Sequence, residues 1–251
     1  EANVPFFSIS GSGVIVGMND TELLIATNNH VVSGAKSLSV GFVDETSCEA
    51  LVKGTDEEND LAVIAVKLED IPEETLDAIS IASLGNSDEL VLGEQVVAIG
   101  NALGYGQSVT SGVVSALNIE RTFSDGTDYF LSTELIQTDA PINSGNSGGG
   151  LFNMKGELIG INEAKTSMTS SGVTVDGIGY AISIAKAEPI LRELMELETK
   201  EVVPEEERGY LGVTCASVTE DISASYNMPV GVCFTEVLNG SPAELAGLKK
   251  G

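Results

Sequence analysis

Short runs rich in Val, Ile and Leu recur through the first 182 residues without lengthening into a helical pattern. They read as strands at Gly13–Val16, Leu23–Thr27, Leu38–Phe42, Leu61–Val66, Gln95–Ile99, Val109–Leu117, Leu158–Asn162 and Gly179–Ile182. Clusters of Gly, Asn, Asp and Ser stand between them, as turns require. Regularly spaced strands with no helix between them leave a barrel or a sandwich as the architecture, and two barrels of about six strands each fit the length. A hydrophobic fraction of 42% in 251 residues is enough for a real core, in one large domain or two modest ones.

The pattern changes after Ala185. Ile190, Leu191, Leu194, Met195 and Leu197 fall at helical spacing, so Ala185–Glu198 reads as a helix with Pro189 near its first turn. Residues 198–207 are then dominated by Glu, with few apolar side chains, and read as a solvated linker. Strand-like character resumes over residues 208–251, a length that is marginal for an independent domain. Twelve basic against 38 acidic residues give a net charge of −26. Such a surface repels phosphates, which excludes nucleic acid as a partner. No run approaches the roughly 18 apolar residues of a membrane span. The chain starts at Glu1 without a methionine, which leaves open a signal or anchor ahead of it. Cys48, Cys215 and Cys233 form neither a disulfide framework nor a metal cluster and read as small buried hydrophobes. A Cys215–Cys233 bridge requires that their strands be neighbours.

Chemistry concentrates at Gly145-Asn146-Ser147-Gly148-Gly149 and at His30, the single histidine. A serine between glycines can sit on a tight turn with backbone N–H groups converging beside it, the geometry of an oxyanion hole. Its hydroxyl needs a base, and His30 is the one imidazole available. A carboxylate must orient that base. Asp60, in Asn59-Asp60-Leu61-Ala62-Val63, enters an apolar strand where it would be shielded from water; Asp56, in a polar loop, ranks second. The order His, Asp, Ser excludes the α/β-hydrolase arrangement. Taken singly, each residue has a plainer reading: a glycine turn, a structural histidine, a strand-end cap.

Six ordered blocks resemble the HtrA (Deg) family of trypsin-fold serine proteases. They are Gly11-Ser12-Gly13-Val14-Ile15, Thr27–Val32, Asn59–Val63, Gln137–Gly149, Gly156–Asn162 and Gly177–Ile182. The resemblance implies an all-β, chymotrypsin/trypsin-like double β-barrel with a C-terminal helix and a partial PDZ domain. Residues 1–197 would form the protease domain, 198–207 an acidic linker and 208–251 the first part of a PDZ domain. It implies a triad of His30, Asp60 and Ser147, and an oxyanion hole at Gly145, Asn146 and Ser147 with backbone N–H donors from Gly145 and Ser147. No cofactor or metal is called for. Pro141, six residues before Ser147, stands where a trypsin-type pocket carries its carboxylate, so small or aliphatic residues are expected before the cleaved bond. Glu163 would disturb that preference if it lined the pocket, and would leave it intact as a surface loop carboxylate. Tyr210, Leu211, Gly212 and Val213 resemble a PDZ carboxylate-binding loop. The family implies unfolded or damaged proteins as substrates, a homotrimer, and an extracytoplasmic location, with a membrane anchor outside this sequence left open; Phe6 and Phe7 read equally as packing between subunits and as ordinary barrel-edge packing. The competing reading is a chaperone or peptide-binding scaffold with hydrolysis dormant.

Overall fold

The computed structural model describes residues 10–101, 106–124, 129–163, 177–200, 209–219, 222–223 and 226–251. Phe6, Phe7 and linker residues 201–207 lie outside them. Two compact units divide the chain, residues 1–201 and 202–251.

The first unit begins with β1 (Val14–Met18), β2 (Glu22–Thr27), β3 (Leu38–Gly41), β4 (Ser47–Asp56) and β5 (Leu61–Lys67). They pair as an antiparallel sheet in the order β1-β2-β5-β4-β3. Strand β5 explains why this half is so apolar in sequence. Leu61, Val63 and Ala65 face one cluster while Ala62, Ile64 and Val66 face another. A strand buried on both faces loses the polar alternation of a surface strand and reads as one unbroken apolar run.

The second half holds β6 (Gln95–Gly100), β7 (Ser108–Ser124), β8 (Tyr129–Thr138), β9 (Gly150–Asn153), β10 (Leu158–Glu163) and β11 (Gly179–Ser183). These six close into a barrel in the order β10-β11-β8-β7-β6-β9. Val96, Ala98, Val114, Ile136, Leu151, Ile159 and Ala181 belong to one of its clusters. A further cluster joins the two halves: Leu24, Ala26, Leu61 and Val63 from the first meet Leu135, Ile161, Tyr180 and Ile182 from the second.

One long helix, α3 (Ile184–Met195), follows two short ones, α1 (Asn29–Val32) and α2 (Glu73–Ala78). It starts one residue earlier than expected, and Ser87 Oγ accepts the Ala185 N–H at 3.0 Å. Pro189 is therefore its sixth residue rather than a first-turn residue. The acceptor its ring leaves unused is the carbonyl of Ala185, an exposed residue. Burial of Ile184, Ala187, Leu191 and Leu194 offsets the missing bond. The chain beyond α3 stays fastened to the first sheet. Lys200 N–H donates to Val52 O at 3.2 Å, and Thr199 Oγ1 bonds to Glu22. Lys53 Nζ, 2.7 Å from Glu22 Oε2, completes the fastening.

The second unit contains β12 (Val213–Val218), β13 (Gly231–Val237) and a one-turn helix α4 (Pro242–Leu245). Cys215 lies opposite Phe234, and Cys233 opposite Ala216. Side chains alternate across a strand, so Cys215 and Cys233 point to opposite faces of the hairpin and both are free thiols. Cys215 is exposed, contrary to the buried reading.

Candidate active site

Register brings the first two groups together. β2 runs antiparallel to β5 with Thr27 opposite Ala62, so residues just past the end of β2 meet those just before β5. His30 sits on α1, immediately after β2. Asp60 sits at the mouth of β5 with φ of +53°, a left-handed conformation that Asp tolerates better than most residues. Its carbonyl accepts from Asn28 Nδ2 at 2.9 Å and from the Asn29 N–H at 3.2 Å. Its carboxylate is thereby aimed at His30: Oδ1 accepts the His30 backbone N–H at 2.9 Å, and Oδ2 lies 2.7 Å from Nδ1. A carboxylate only accepts, so Nδ1 donates and, in the neutral ring, Nε2 is left free to accept. The Asp60 side chain is 7% exposed and that of His30 is 33% exposed. Asp56 is not brought here. Its two oxygens take the Asn59 N–H and Asn59 Nδ2, at 2.9 and 3.0 Å.

Ser147 enters from the second half, on the loop between β8 and β9. Gly145 and Gly148 adopt φ of +96° and +81°, the turns that glycine allows at no steric cost. Crowding also demands glycine at 148, where a Cβ would fall 2.2 Å from Thr27 Oγ1 and 2.3 Å from Ser12 O. The loop is bracketed by Asn162, which accepts the Gly148 N–H at 3.0 Å and donates to Gly149 O at 2.8 Å. Gly11 threads between the two halves of the site. A Cβ there would stand 2.5 Å from Val31 Cγ1 and 3.3 Å from Ser147 O. The residue after His30 is thus one backbone's width from Ser147. Ser147 is 4% exposed and its Oγ makes no hydrogen bond among the described residues. The N–H groups of Gly145 and Ser147 likewise donate to nothing there, whereas the Asn146 N–H is committed to Asn143 O at 2.9 Å.

Residues 11–161 match the model of the trypsin-like peptidase domain. The chain is 40% identical over 253 residues to the serine protease Do-like HtrA of Bacillus subtilis, covering 96% of this chain and 52% of the relative. Identity is 38% over 244 residues to a probable periplasmic serine endoprotease, DegP-like, of Hahella chejuensis, covering 96% and 46%. The chain thus spans about half the length of the curated relatives it matches. Among solved structures, the HtrA-type protease AlgW with tripeptide is 35% identical, with a TM-score of 0.58, 96% of this chain covered and 72% of that one. The chain belongs to the HtrA-type trypsin-like peptidases.

Within this HtrA-type domain Glu163 corrects an expectation. It is no surface loop carboxylate but the last residue of β10, 1% exposed, accepting from Ser132 Oγ at 3.1 Å. Alternation places it on the same face as Ile161, toward the junction of the two halves. It lies opposite Tyr180, whose hydroxyl accepts from Arg121 Nε at 2.9 Å. Ile142 packs over Gly179, where a Cβ would lie 3.0 Å from Ile142 Cδ1. Pro141 is exposed, and its carbonyl takes the Thr110 hydroxyl at 2.9 Å.

In the second unit Tyr210 and Leu211 are exposed and precede β12, which Val213 opens. The carbonyls of Leu211 and Gly212 hold the start of α4 and the residue after β13, accepting from Ala243 and Leu238 at 3.0 and 2.8 Å. Gly212, at φ +76°, lies against Ser241 with no room for a Cβ. Among the described residues no group of three or more His, Cys, Asp or Glu could hold a metal ion, and no helix is long and apolar enough to cross a membrane.

Proposed function

We propose that this chain is a serine endopeptidase of protein quality control that cuts unfolded or damaged proteins through His30, Asp60 and Ser147. The observation that carries the reading is the His30–Asp60 pair at 2.7 Å, with Gly11 alone between Val31 and Ser147, whose hydroxyl makes no hydrogen bond among the described residues. Ser147 Oγ attacks the scissile carbonyl while His30 Nε2 takes its proton. That transfer requires the hydroxyl and Nε2 to come within hydrogen-bond reach in the substrate complex. The Gly145 and Ser147 N–H groups receive the developing oxyanion, which is why their lack of an acceptor among the described residues matters. Asp60 stabilises the imidazolium; His30 then protonates the leaving amine, and water releases the acyl group by the same route.

Ile142, packed over Gly179, supports small or aliphatic side chains before the cleaved bond, a preference that Glu163, buried rather than on a surface loop, would alter if it lines the pocket. The relatives named periplasmic support an extracytoplasmic location. Assembly as a trimer, tethering to a membrane and capture of a peptide carboxylate at Tyr210–Val213 belong to the same reading. A fluorophosphonate probe tests it. Labelling of the wild type that disappears in Ser147→Ala is the expected result. No labelling of the wild type, with or without an activating peptide, overturns it in favour of a chaperone or scaffold.

A further inference from the structure

Ser12 is a hub on the floor of the site. Its N–H donates to Ser147 O at 2.8 Å and its carbonyl accepts the Thr27 hydroxyl at 2.7 Å. Its hydroxyl donates to Gly145 O and accepts the Asn101 N–H, both at 2.7 Å. One residue therefore holds the carbonyls of both residues whose N–H groups face the oxyanion. The two attachments differ in what else supports them. Ser147 is followed by Gly148 and Gly149, which Asn162 brackets from β10. Among the described residues Gly145 has no such second anchor. The peptide after it also bonds through the Asn146 N–H, but only to Asn143 within the same loop. A glycine at positive φ has no side chain to restrict its rotation. The Ser12 hydroxyl is thus the bond that ties the Gly145 carbonyl to the barrel outside the loop. The close passage needed for it is built in. At Gly100 a Cβ would lie 2.9 Å from Ser12 Oγ and 2.7 Å from Asn146 Oδ1.

We propose that Ser12 is a positioning residue of the reaction, its hydroxyl locking the Gly145 carbonyl so that the Gly145 N–H stays aimed at the oxyanion. The proposal rests on Ser147 being the nucleophile. It touches neither substrate nor the reacting atoms, so its signature is a defect in transition-state stabilisation rather than in substrate binding. Removing an oxyanion donor outright costs about 10²–10³ in rate, and a donor left in place but free to swing costs less, roughly tenfold or somewhat more.

The test is steady-state cleavage of a chromogenic peptide by the wild type, Ser12→Ala and Ser12→Cys. It is accompanied by inhibition with a peptide aldehyde, fluorophosphonate labelling and thermal melts. Cysteine keeps the bulk of the residue but replaces the hydroxyl with a weak donor, so it covers the case in which alanine impairs folding. Both variants are expected to lose at least ~10-fold in kcat with KM within about twofold, and to bind the aldehyde about tenfold more weakly, since its tetrahedral adduct needs the same hole. A folded variant with kcat within twofold of wild type overturns the proposal, as does a loss carried wholly by KM. Absence of labelling in the wild type would instead sink the serine-nucleophile reading, so the two failures are told apart.

Discussion

Replacing Asp60 by Asn removes one charge and almost nothing else, which makes its effect calculable. Asn tolerates the +53° φ of this position, and the bonds from Asn28 and Asn29 go to the backbone carbonyl, which the substitution leaves in place. The folded stability should therefore change by less than about 1 kcal/mol. The side chain has a single acceptor oxygen where the carboxylate had two. If the oxygen keeps the His30 backbone N–H now held at 2.9 Å, the amide NH₂ faces Nδ1. Turning the amide over sets its NH₂ against the backbone N–H, donor against donor, so the first orientation wins. Nδ1 must then accept, the ring proton moves to Nε2, and His30 can no longer take the proton of Ser147. Trapping the wrong tautomer in this way has cost a trypsin-type enzyme about 10⁴ in kcat. That corresponds to about 5.4 kcal/mol of barrier at 1.36 kcal/mol per decade. The assay is kcat on a chromogenic peptide, normalised to active sites, with a urea melt of each protein. Asp56→Asn, which disturbs only the Asn59 turn, serves as the control and should stay within about threefold of wild type in rate. Refutation would be an Asp60→Asn enzyme within tenfold of wild type, or an Asp56→Asn enzyme that is the inactive one.

Gly148→Ala should cost more than about 3 kcal/mol and abolish labelling, because the new methyl meets Thr27 Oγ1 and Ser12 O at a φ that alanine resists; a melt and a probe assay check both. For Glu22, burial pushes the carboxyl upward, but hydrogen bonds from Lys53, Thr199 and Asn19 and the charge of Lys53 outweigh it and hold the group below its ordinary value. A lowered folded pKa stabilises above about pH 4.5 and is lost as pH falls through the folded value. Glu22→Gln should accordingly cost about 2 kcal/mol at pH 7, between an exposed pair and a fully buried one, and the difference from wild type should fade on acidification, read by urea melts across pH. Burial, with the charges of Asp70 and Asp44, raises the Cys48 thiol, while Cys215 is exposed. Iodoacetamide at pH 8 should alkylate Cys215 well before Cys48 in the folded protein, as peptide mass spectrometry would show.

The apolar periodicity made β2, β5, β10 and β11 legible because each is buried along most of its length. It also made the pairing of His30 with Asp60 rather than Asp56 readable, since only Asp60 abuts a buried strand. What it concealed has physical reasons. Strand β4 carries Lys53 and Gly54 at buried positions: the lysine is paired with Glu22, and the glycine makes room for Leu194 and Leu197. Neither fits a pattern built on apolar side chains. Glu163 looked like the first residue of a loop because it is charged, yet β10 continues through it. Pro189 looked like a first-turn residue because a sequence does not reveal that Ser87, far upstream, accepts the Ala185 N–H at the start of the helix. Ser12 gave no local signal at all, since its partners at 101, 145 and 147 become neighbours only in the folded chain.

That separation has a consequence for the life of the molecule before it is finished. The bond from Ser12 to Gly145 closes a loop of 133 residues. In the proposed triad the base and its orienting carboxylate lie together in the half that is synthesised first, while the serine and the oxyanion donors follow three further strands, β6, β7 and β8. A growing polypeptide therefore carries the His30–Asp60 pair with no serine to act on, and a late segment alone carries a serine with no imidazole. On the proposed reading, cleavage requires that the two halves have docked, so a half-made copy lacks either the base or the nucleophile.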